Sequence, residues 1–233
     1  MLQPGRVIGR KYVVESLLGS GIEGEVYRVK ETRTGITRAA KVFFPSREVN
    51  ARISTWHARK LDKLRHCAGV LQYFHVETVQ ASRRTLTCLI SEFLDGRPLH
   101  AFLQAQPKKR LTPFEALHLT HSICCGLESI HEQREYHGDL HSLNIFVKRR
   151  GIFFDVKFID FYHRGRSTKS ERQDDLLDVI YLLYDMVGGR PSYASQPPEV
   201  KSICLGLRRD MILKRFPGVS ALRKHLESFT WSR

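Results

Sequence analysis

The chain has 233 residues and a mass of 27.0 kDa, the size of one domain or of two tightly joined lobes. Apolar residues at 42% and charged residues at 27% are ordinary for a globular protein, which excludes disordered and fibrous classes. Thirty-eight Lys and Arg against 24 Asp and Glu leave a net charge of +14, which favours acidic partners (nucleotide, phospholipid or nucleic acid) without choosing among them. The cysteines Cys67, Cys88, Cys124, Cys125 and Cys204 are odd in number and mostly far apart, so no disulfide framework is expected and a reducing compartment is the default. The opening MLQPGRVIGRKYVVES lacks the apolar core of a signal peptide, and no window approaches the roughly 18 apolar residues that span a bilayer. The expectation is a soluble, cytoplasmic protein whose basic surface leaves peripheral membrane contact open.

In chain order, Lys11–Leu18 and Glu25–Glu31 are β-prone runs, and a turn at Thr34-Gly35 leads into a third, Ile36–Phe44. Val49–Arg65 carries Trp56, Leu61 and Leu64 among basic residues and is expected to be a helix. Val70–Thr78 and Thr85–Phe93, separated by the polar stretch Gln80–Arg84, look like a hairpin. After Asp95-Gly96 the pattern turns helical. Thr112-Pro113-Phe114-Glu115 is a capping box with proline at the first helical position, and Phe114, Leu117, His121, Cys124, Leu127 and Ile130 follow at spacings of three or four, an apolar side. Asp175–Val187 is apolar nearly all round, as a buried helix is, and Ser220–Phe229 is a last amphipathic helix with Leu222 and Leu226 inward. The expected layout is a sheet-rich lobe over residues 1–93 and a helical lobe over 94–233, with a ligand in the cleft between.

Gly19-Ser20-Gly21-Ile22-Glu23-Gly24 is a weak signal alone, since many turns are glycine-rich. A dinucleotide fold would open a helix at the third glycine, whereas Glu25-Val26-Tyr27-Arg28-Val29 is strand-like. Strand, glycine loop and strand make a flap whose amides can approach phosphates, because glycine has no Cβ to hold them off. Lys41, seventeen residues beyond Gly24, lies inside the apolar run Ala39-Ala40-Lys41-Val42, where a lysine without a task would turn to the wet face. The stretch His137-Gly138-Asp139-Leu140-His141-Ser142-Leu143-Asn144 places an Asp and an Asn five residues apart, ahead of a β run. Sixteen residues after Asn144 the strand Val156–Ile159 ends in Asp160-Phe161. Phosphoryl transfer from ATP needs one carboxylate to orient the attacking hydroxyl, a second with an amide oxygen to hold Mg²⁺, and a cation with backbone amides for the developing charge. Asp139, Asp160, Asn144, Lys41 and the glycine loop supply that set in order; a buried aspartate in a turn would explain either acid alone, not all five features together.

On these motifs the chain resembles the protein-kinase-like superfamily over about residues 11–229: GSGIEGEV is similar to the kinase glycine loop, AAK to the strand with the ATP lysine, HGDLHSLN to the catalytic loop and IDFY to the metal-binding segment. The resemblance implies an α+β bilobal fold, β-rich then mainly helical, with a reduced helical lobe. It implies ATP with Mg²⁺ (or Mn²⁺) as cofactors and a hydroxyl-bearing or acidic substrate, foremost a protein Ser or Thr. It makes Asp139 the catalytic base with Lys41 and Asn144 as its catalytic companions, and Asn144 and Asp160 the metal ligands. The nucleotide would be bound by Gly19, Gly21, Gly24, Val26, Ala39, Lys41, Glu92, Leu94 and Phe146, with the Glu92–Leu94 backbone as hinge, Ser91 as gatekeeper and Asp175 bracing the catalytic loop.

Four features depart from that pattern. Gly138 stands where many protein kinases have the Arg that couples the loop to activation-segment phosphorylation, so such control is not expected. His141 replaces a lysine beside the transferred phosphate and brings a pH-dependent charge. Only fifteen steps separate Asp160 from Asp175, too few for a long activation segment, and Pro197-Pro198-Glu199 only superficially matches the motif that closes one. The helix acid that should pair with Lys41 is missing: its position falls near His57, leaving Glu48, Glu23 or Glu25 as stand-ins. A nucleotide-binding pseudokinase and a kinase of a non-protein acceptor (a lipopolysaccharide sugar, a lipid or a small metabolite) are the competing readings; nucleic acid is the weaker partner, because the basic runs carry no interleaved aromatics. His118, His121 and Cys125 share a helix face without a fourth zinc ligand, so packing is expected there. The basic run Arg164–Arg172 would attract an acidic or phosphorylated substrate.

Overall fold

A computed structural model of the chain describes residues 1–47, 52–81, 84–162 and 167–230. They form two compact units: Met1–His66 with Leu71–Asp95, and Cys67–Val70 with Gly96–Arg233.

The first unit holds a six-stranded antiparallel sheet and one helix: β1 (Val7–Ile8), β2 (Tyr12–Ser20), β3 (Gly24–Glu31), β4 (Thr37–Phe43), α1 (Arg52–Lys63), β5 (Tyr73–Ala81) and β6 (Arg84–Glu92), in the order β1-β2-β3-β4-β6-β5. Side chains alternate faces along a strand, and this divides the sheet's work. Tyr27 and Val29 of β3, Ala40 and Val42 of β4, and Cys88 and Ile90 of β6 join Ile8, Tyr12, Val14 and Val79 in one apolar core. The opposite parity carries Val26, Ala39, Lys41 and Ser91, with Val26 opposite Lys41 and Ala39 opposite Ser91. In α1 the inward residues are Ser54, His57, Lys60 and Leu61, with Leu64 just beyond, while Lys60 and Lys63 in the last turn complement the helix dipole. The head of the expected helix, residues 49–51, lies outside the described residues.

The β5–β6 hairpin departs from expectation at both ends. Val70 is in no strand; it forms an isolated bridge with Phe158 inside the second unit. At the far end pairing runs on through Gln80↔Thr85 and Ala81↔Arg84 into the expected polar stretch, and Gln80 Nε2 donates to Thr85 Oγ1 at 2.6 Å. Polarity marks solvent exposure there, and cross-strand hydrogen bonding keeps the ladder going.

The second unit pairs β7 (Arg97–Pro98), β8 (Ile145–Arg150) and β9 (Phe153–Phe158) beside α2 (Leu99–Gln104), α3 (Pro113–Glu132), α4 (Lys169–Met186), α5 (Gly189–Tyr193), α6 (Pro198–Cys204), α7 (Arg209–Arg215) and α8 (Val219–Glu227). The capping box of α3 forms as expected: Thr112 Oγ1 accepts from Glu115 N, and Glu115 Oε2 accepts from Thr112 N. Its buried face is rotated from the expected one. Ala116, Leu119, Thr120, Ile123, Leu127 and Ile130 are buried along with Leu117 and Cys124, whereas Phe114 is exposed. His121 and Cys125 are not packed in the core either: His121 Nε2 donates to Glu227 Oε1 at 2.9 Å and Cys125 is exposed, while half-buried His118 does pack on the Phe153 and Phe154 rings. Helices α4 and α8 as well as β9 pack on α3, so its inward face is set from several sides at once. α4 begins six residues before the expected Asp175, at a second capping box of Thr168 and Glu171 whose polar first turn carries no hydrophobic period. α8 buries Val219 and Leu222, with Leu226 half-buried.

Candidate active site

In the first unit the flap is the β2–β3 connection. Gly21 N donates to Gly24 O at 2.9 Å, and Phe44 N donates to Glu23 O at 2.8 Å, which ties the flap backbone to the end of β4. Gly24 is obligatory: a Cβ there would lie 2.1 Å from the Val42 carbonyl oxygen. At Gly19 and Gly21 a Cβ would meet nothing within 4 Å, so the fold itself does not demand those two glycines.

Pinned in this way, Glu23 reaches Lys41. Its Oε2 accepts from Lys41 Nζ at 2.7 Å and from His57 Nε2 at 2.9 Å. Burial pushes the Glu23 carboxyl up, but the His57 hydrogen bond and the Lys41 charge outweigh it and bring it down to about 2. Of the three stand-ins for the missing helix acid, Glu23 is in contact with Lys41; Glu25 accepts from the Tyr27 hydroxyl, and Glu48 lies outside the described residues. His57 is buried on α1 between the Trp56 and Phe43 rings. The spacing that locates the missing acid near residue 57 also locates this histidine, but nothing in the sequence pairs it with the flap.

In the second unit the candidate catalytic loop, residues 137–144, is held from behind by Asp175. The wholly buried carboxylate accepts from His137 N at 2.8 Å, from Gly138 N at 2.9 Å and from His131 Nε2 at 2.9 Å. Burial works to raise its pKa, yet the His131 hydrogen bond, the neighbouring histidines and the Gly138 amide hold it below the usual carboxylate range. His131 carries no motif signal, and only its contact with Asp175 reveals it. The His137 ring, also wholly buried, is pushed down to about 4 by desolvation, so it is neutral at pH 7. Asp139 N donates to its Nδ1 at 3.3 Å, which leaves the proton on Nε2 to donate to Ile159 O at 3.0 Å. Gly138 has φ +82°, and a Cβ there would lie 2.8 Å from the Tyr136 ring and 3.0 Å from Tyr162 O.

From this base Asp139 extends an exposed carboxylate. Asn144 Nδ2 donates to Asp139 O at 2.9 Å and lies 3.3 Å from Oδ2, so the amide oxygen of Asn144 is turned away from the aspartate. His141 Nε2 is 3.5 Å from Asp139 Oδ2 and 3.1 Å from Asn144 Nδ2. The β8–β9 hairpin then brings in the metal-binding candidate: Ile145 pairs with Phe158, Ile159 N donates to Asn144 O at 3.0 Å, and Asp160 follows at once, exposed and at φ +54°. Tyr162 N donates to His137 O at 3.0 Å, and the buried Phe161 ring packs on His137 at 4.7 Å. A carboxylate and an amide oxygen are hard donors of the kind Mg²⁺ takes alongside phosphate oxygens. Among the described residues no group of three or more His, Cys, Asp or Glu side chains gathers as a metal site, so a cation here would draw its remaining ligands from phosphates and water.

The other expected nucleotide contacts fall as follows. Val26, Leu94 and Phe146 are half-buried, and Ala39 and Ser91 are buried. Glu92 is bonded through both backbone and side chain to Gln72: Glu92 N donates to Gln72 O at 2.9 Å, and Gln72 N donates to Glu92 Oε1 at 2.8 Å. Of the basic run Arg164–Arg172, residues 164–166 lie outside the described residues; Arg172, on α4, donates to Ser167 Oγ at 2.8 Å.

Comparisons with known proteins bear on the family and the fold. The protein kinase domain family matches residues 12–200. The serine/threonine-protein kinase PkaA of Streptomyces coelicolor is 26% identical over 222 residues, covering 81% of this chain and 40% of that protein. The serine/threonine-protein kinase pkn2 of Myxococcus xanthus is 29% identical over 215 residues, covering 91% of this chain and 24% of that protein. The chain thus spans less than half the length of these relatives. Among solved structures, a double mutant of the kinase domain of Mycobacterium tuberculosis PknI superposes with a TM-score of 0.69 at 15% identity, covering 97% of this chain and 98% of that one, which shows a shared α+β kinase fold.

Proposed function

This chain belongs to the protein kinase domain family, and from that premise we propose that it is an ATP- and Mg²⁺-dependent kinase that phosphorylates Ser and Thr hydroxyls of protein substrates. The observation that carries the reading is the preorganised catalytic loop: an exposed Asp139 carboxylate on a backbone clamped by buried Asp175, with the Asn144 amide seated against it.

Asp139 orients the acceptor hydroxyl and takes its proton. Asn144 and Asp160 hold the divalent cation, whose chemistry is to neutralise charge on the phosphate oxygens. Lys41 meets the α- and β-phosphates under the flap of Gly19, Gly21 and Gly24. Val26, Ala39, Phe146 and the Glu92–Leu94 backbone would supply the contacts to adenine. The names of the relatives support a Ser/Thr acceptor, and the net charge of +14 supports an acidic or already phosphorylated one. No helix among the described residues is long and apolar enough to cross a membrane; with five free cysteines, a cytoplasmic site of action fits.

The test is γ-phosphate transfer from labelled Mg-ATP to a Ser/Thr-containing protein acceptor by the purified chain. Asp139→Asn should cut the rate by roughly 10²–10⁴-fold while leaving the melting temperature and ATP affinity in place. Transfer at the wild-type rate by that variant refutes the assignment. Nucleotide binding without transfer to any acceptor would instead mark a pseudokinase, and transfer only to sugar or lipid would move the substrate class.

A further inference from the structure

Lys41 Nζ donates to Glu23 of the flap, and the α1 position where a pairing acid is expected holds His57, which donates to the same carboxylate. We infer that Glu23 is a positioning residue for phosphoryl transfer, with His57 as its clamp, so that the flap, the ATP lysine and α1 are joined through one carboxylate oxygen. The inference rests on the reading of Lys41 as the ATP lysine.

Three observations support it. First, Glu23 is built in place. Its carbonyl oxygen is tied to Phe44 N, and the neighbouring Gly24 packs so closely on Val42 that no other residue fits. The side chain therefore starts from a fixed point at the end of the lysine's own strand. Second, both partners converge on the same atom, Oε2, at 2.7 and 2.9 Å. A carboxylate only accepts, so His57 Nε2 donates, and both bonds are charge-assisted. Third, His57 is rigid: it is buried on α1 between two aromatic rings. Removing Glu23 takes the shared acceptor from both Lys41 and His57, whereas removing His57 leaves the Lys41 bond in place. A lysine ammonium carries three donors, so a carboxylate can hold it on one side while phosphates are met on another.

This arrangement differs in consequence from a pair between a strand lysine and a helix acid. The acid here travels with the glycine flap, so closing the flap and orienting the lysine are one event. A merely packed flap would give a stability effect alone. A positioning role predicts a loss concentrated in the handling of phosphate.

The experiment compares wild type with Glu23→Gln, His57→Gln and the double variant Glu23→Gln/His57→Glu, which moves the carboxylate onto α1. Steady-state kinetics, melting temperatures and calorimetric titrations with Mg-ATP and with adenosine are measured on each. Glu23→Gln keeps the shape and removes the charge; kcat should fall on the order of 10–100-fold, Mg-ATP should bind more weakly, and adenosine should bind as before. His57→Gln should move in the same direction by less. The double variant should regain most of the rate lost by Glu23→Gln. Unchanged kcat and Mg-ATP affinity in Glu23→Gln overturn the inference. A rise in kcat/KM also overturns it, because the acid would then be blocking the lysine. If wild type transfers no phosphate at all, the kinase reading fails on its own, and the titrations still decide: selective loss of Mg-ATP binding supports the positioning role, and equal binding refutes it.

Discussion

The backbone amide of Ile159 donates to the carbonyl oxygen of Asn144 at 3.0 Å. The bond continues the β8–β9 ladder one step beyond its last pair, and it sets the residue before Asp160 against the last residue of the catalytic loop. Two segments sixteen residues apart thereby share one geometry, and the His137 ring seals it from the other side through Ile159 O. The candidate metal ligands are thus positioned by a sheet and a buried imidazole, both stiffer supports than a free loop.

Asp175→Ala should be among the most destabilising single changes in this chain. It strands three donors, His137 N, Gly138 N and His131 Nε2, around a carboxylate that is wholly buried. Leaving buried donors without their acceptor costs about 1–3 kcal/mol each, so the loss should reach about 3–5 kcal/mol. Chemical denaturation at pH 7 should show a fall of that size. A loss under 1 kcal/mol would mean the carboxylate does not brace the loop.

Gly138→Ala should lower stability by about 1–3 kcal/mol, from the left-handed backbone and the contacts with Tyr136 and Tyr162. Restoring the arginine common at this position should be at least as costly. Thermal melts of both variants provide the check, and a neutral Gly138→Ala would show that the loop relaxes freely.

Acid should destabilise the fold well before its carboxylates titrate in the ordinary range. Buried His137 is neutral with its pKa lowered from 6.5 to about 4. Between those values the unfolded chain binds more protons than the folded one, so stability rises with pH, is fully present above 6.5 and is lost as pH falls toward 4. The full contribution is about 3 kcal/mol. Asp175 and Glu23, both lowered, add the same sign at lower pH: their stabilisation is present above the unfolded carboxylate values and is lost as pH falls through the folded ones. Urea unfolding at a series of pH values from 7 to 4.5 should show this slope, and His137→Asn should flatten it. A slope unchanged by that substitution would place the acid sensitivity elsewhere.

Much of this was open to reading in the linear chain because the governing forces are local. A strand alternates its faces every residue, so the pattern of β3 and β4 announces itself. Thr112 and Glu115 satisfy each other's amides within one turn, so the start of α3 needs no distant partner. The glycine loop, Lys41, Asp139, Asn144 and Asp160 stand out as candidates because phosphoryl transfer calls for groups of those kinds.

The partner of Lys41 was a different kind of question, with three acids offered and none distinguished. The fold brings Glu23 to Lys41, and to His57, through contacts between residues 18 and 34 positions apart. The inward face of α3 likewise depends on what packs around it, and the joint claim of α4, α8 and β9 turned Phe114 outward. His131 became visible only when Asp175 was found between it and the catalytic loop. Periodicity and capping are properties of neighbours along the chain; the pairing of charges depends on which distant atoms lose their water together, and only the folded structure brings those atoms to one place.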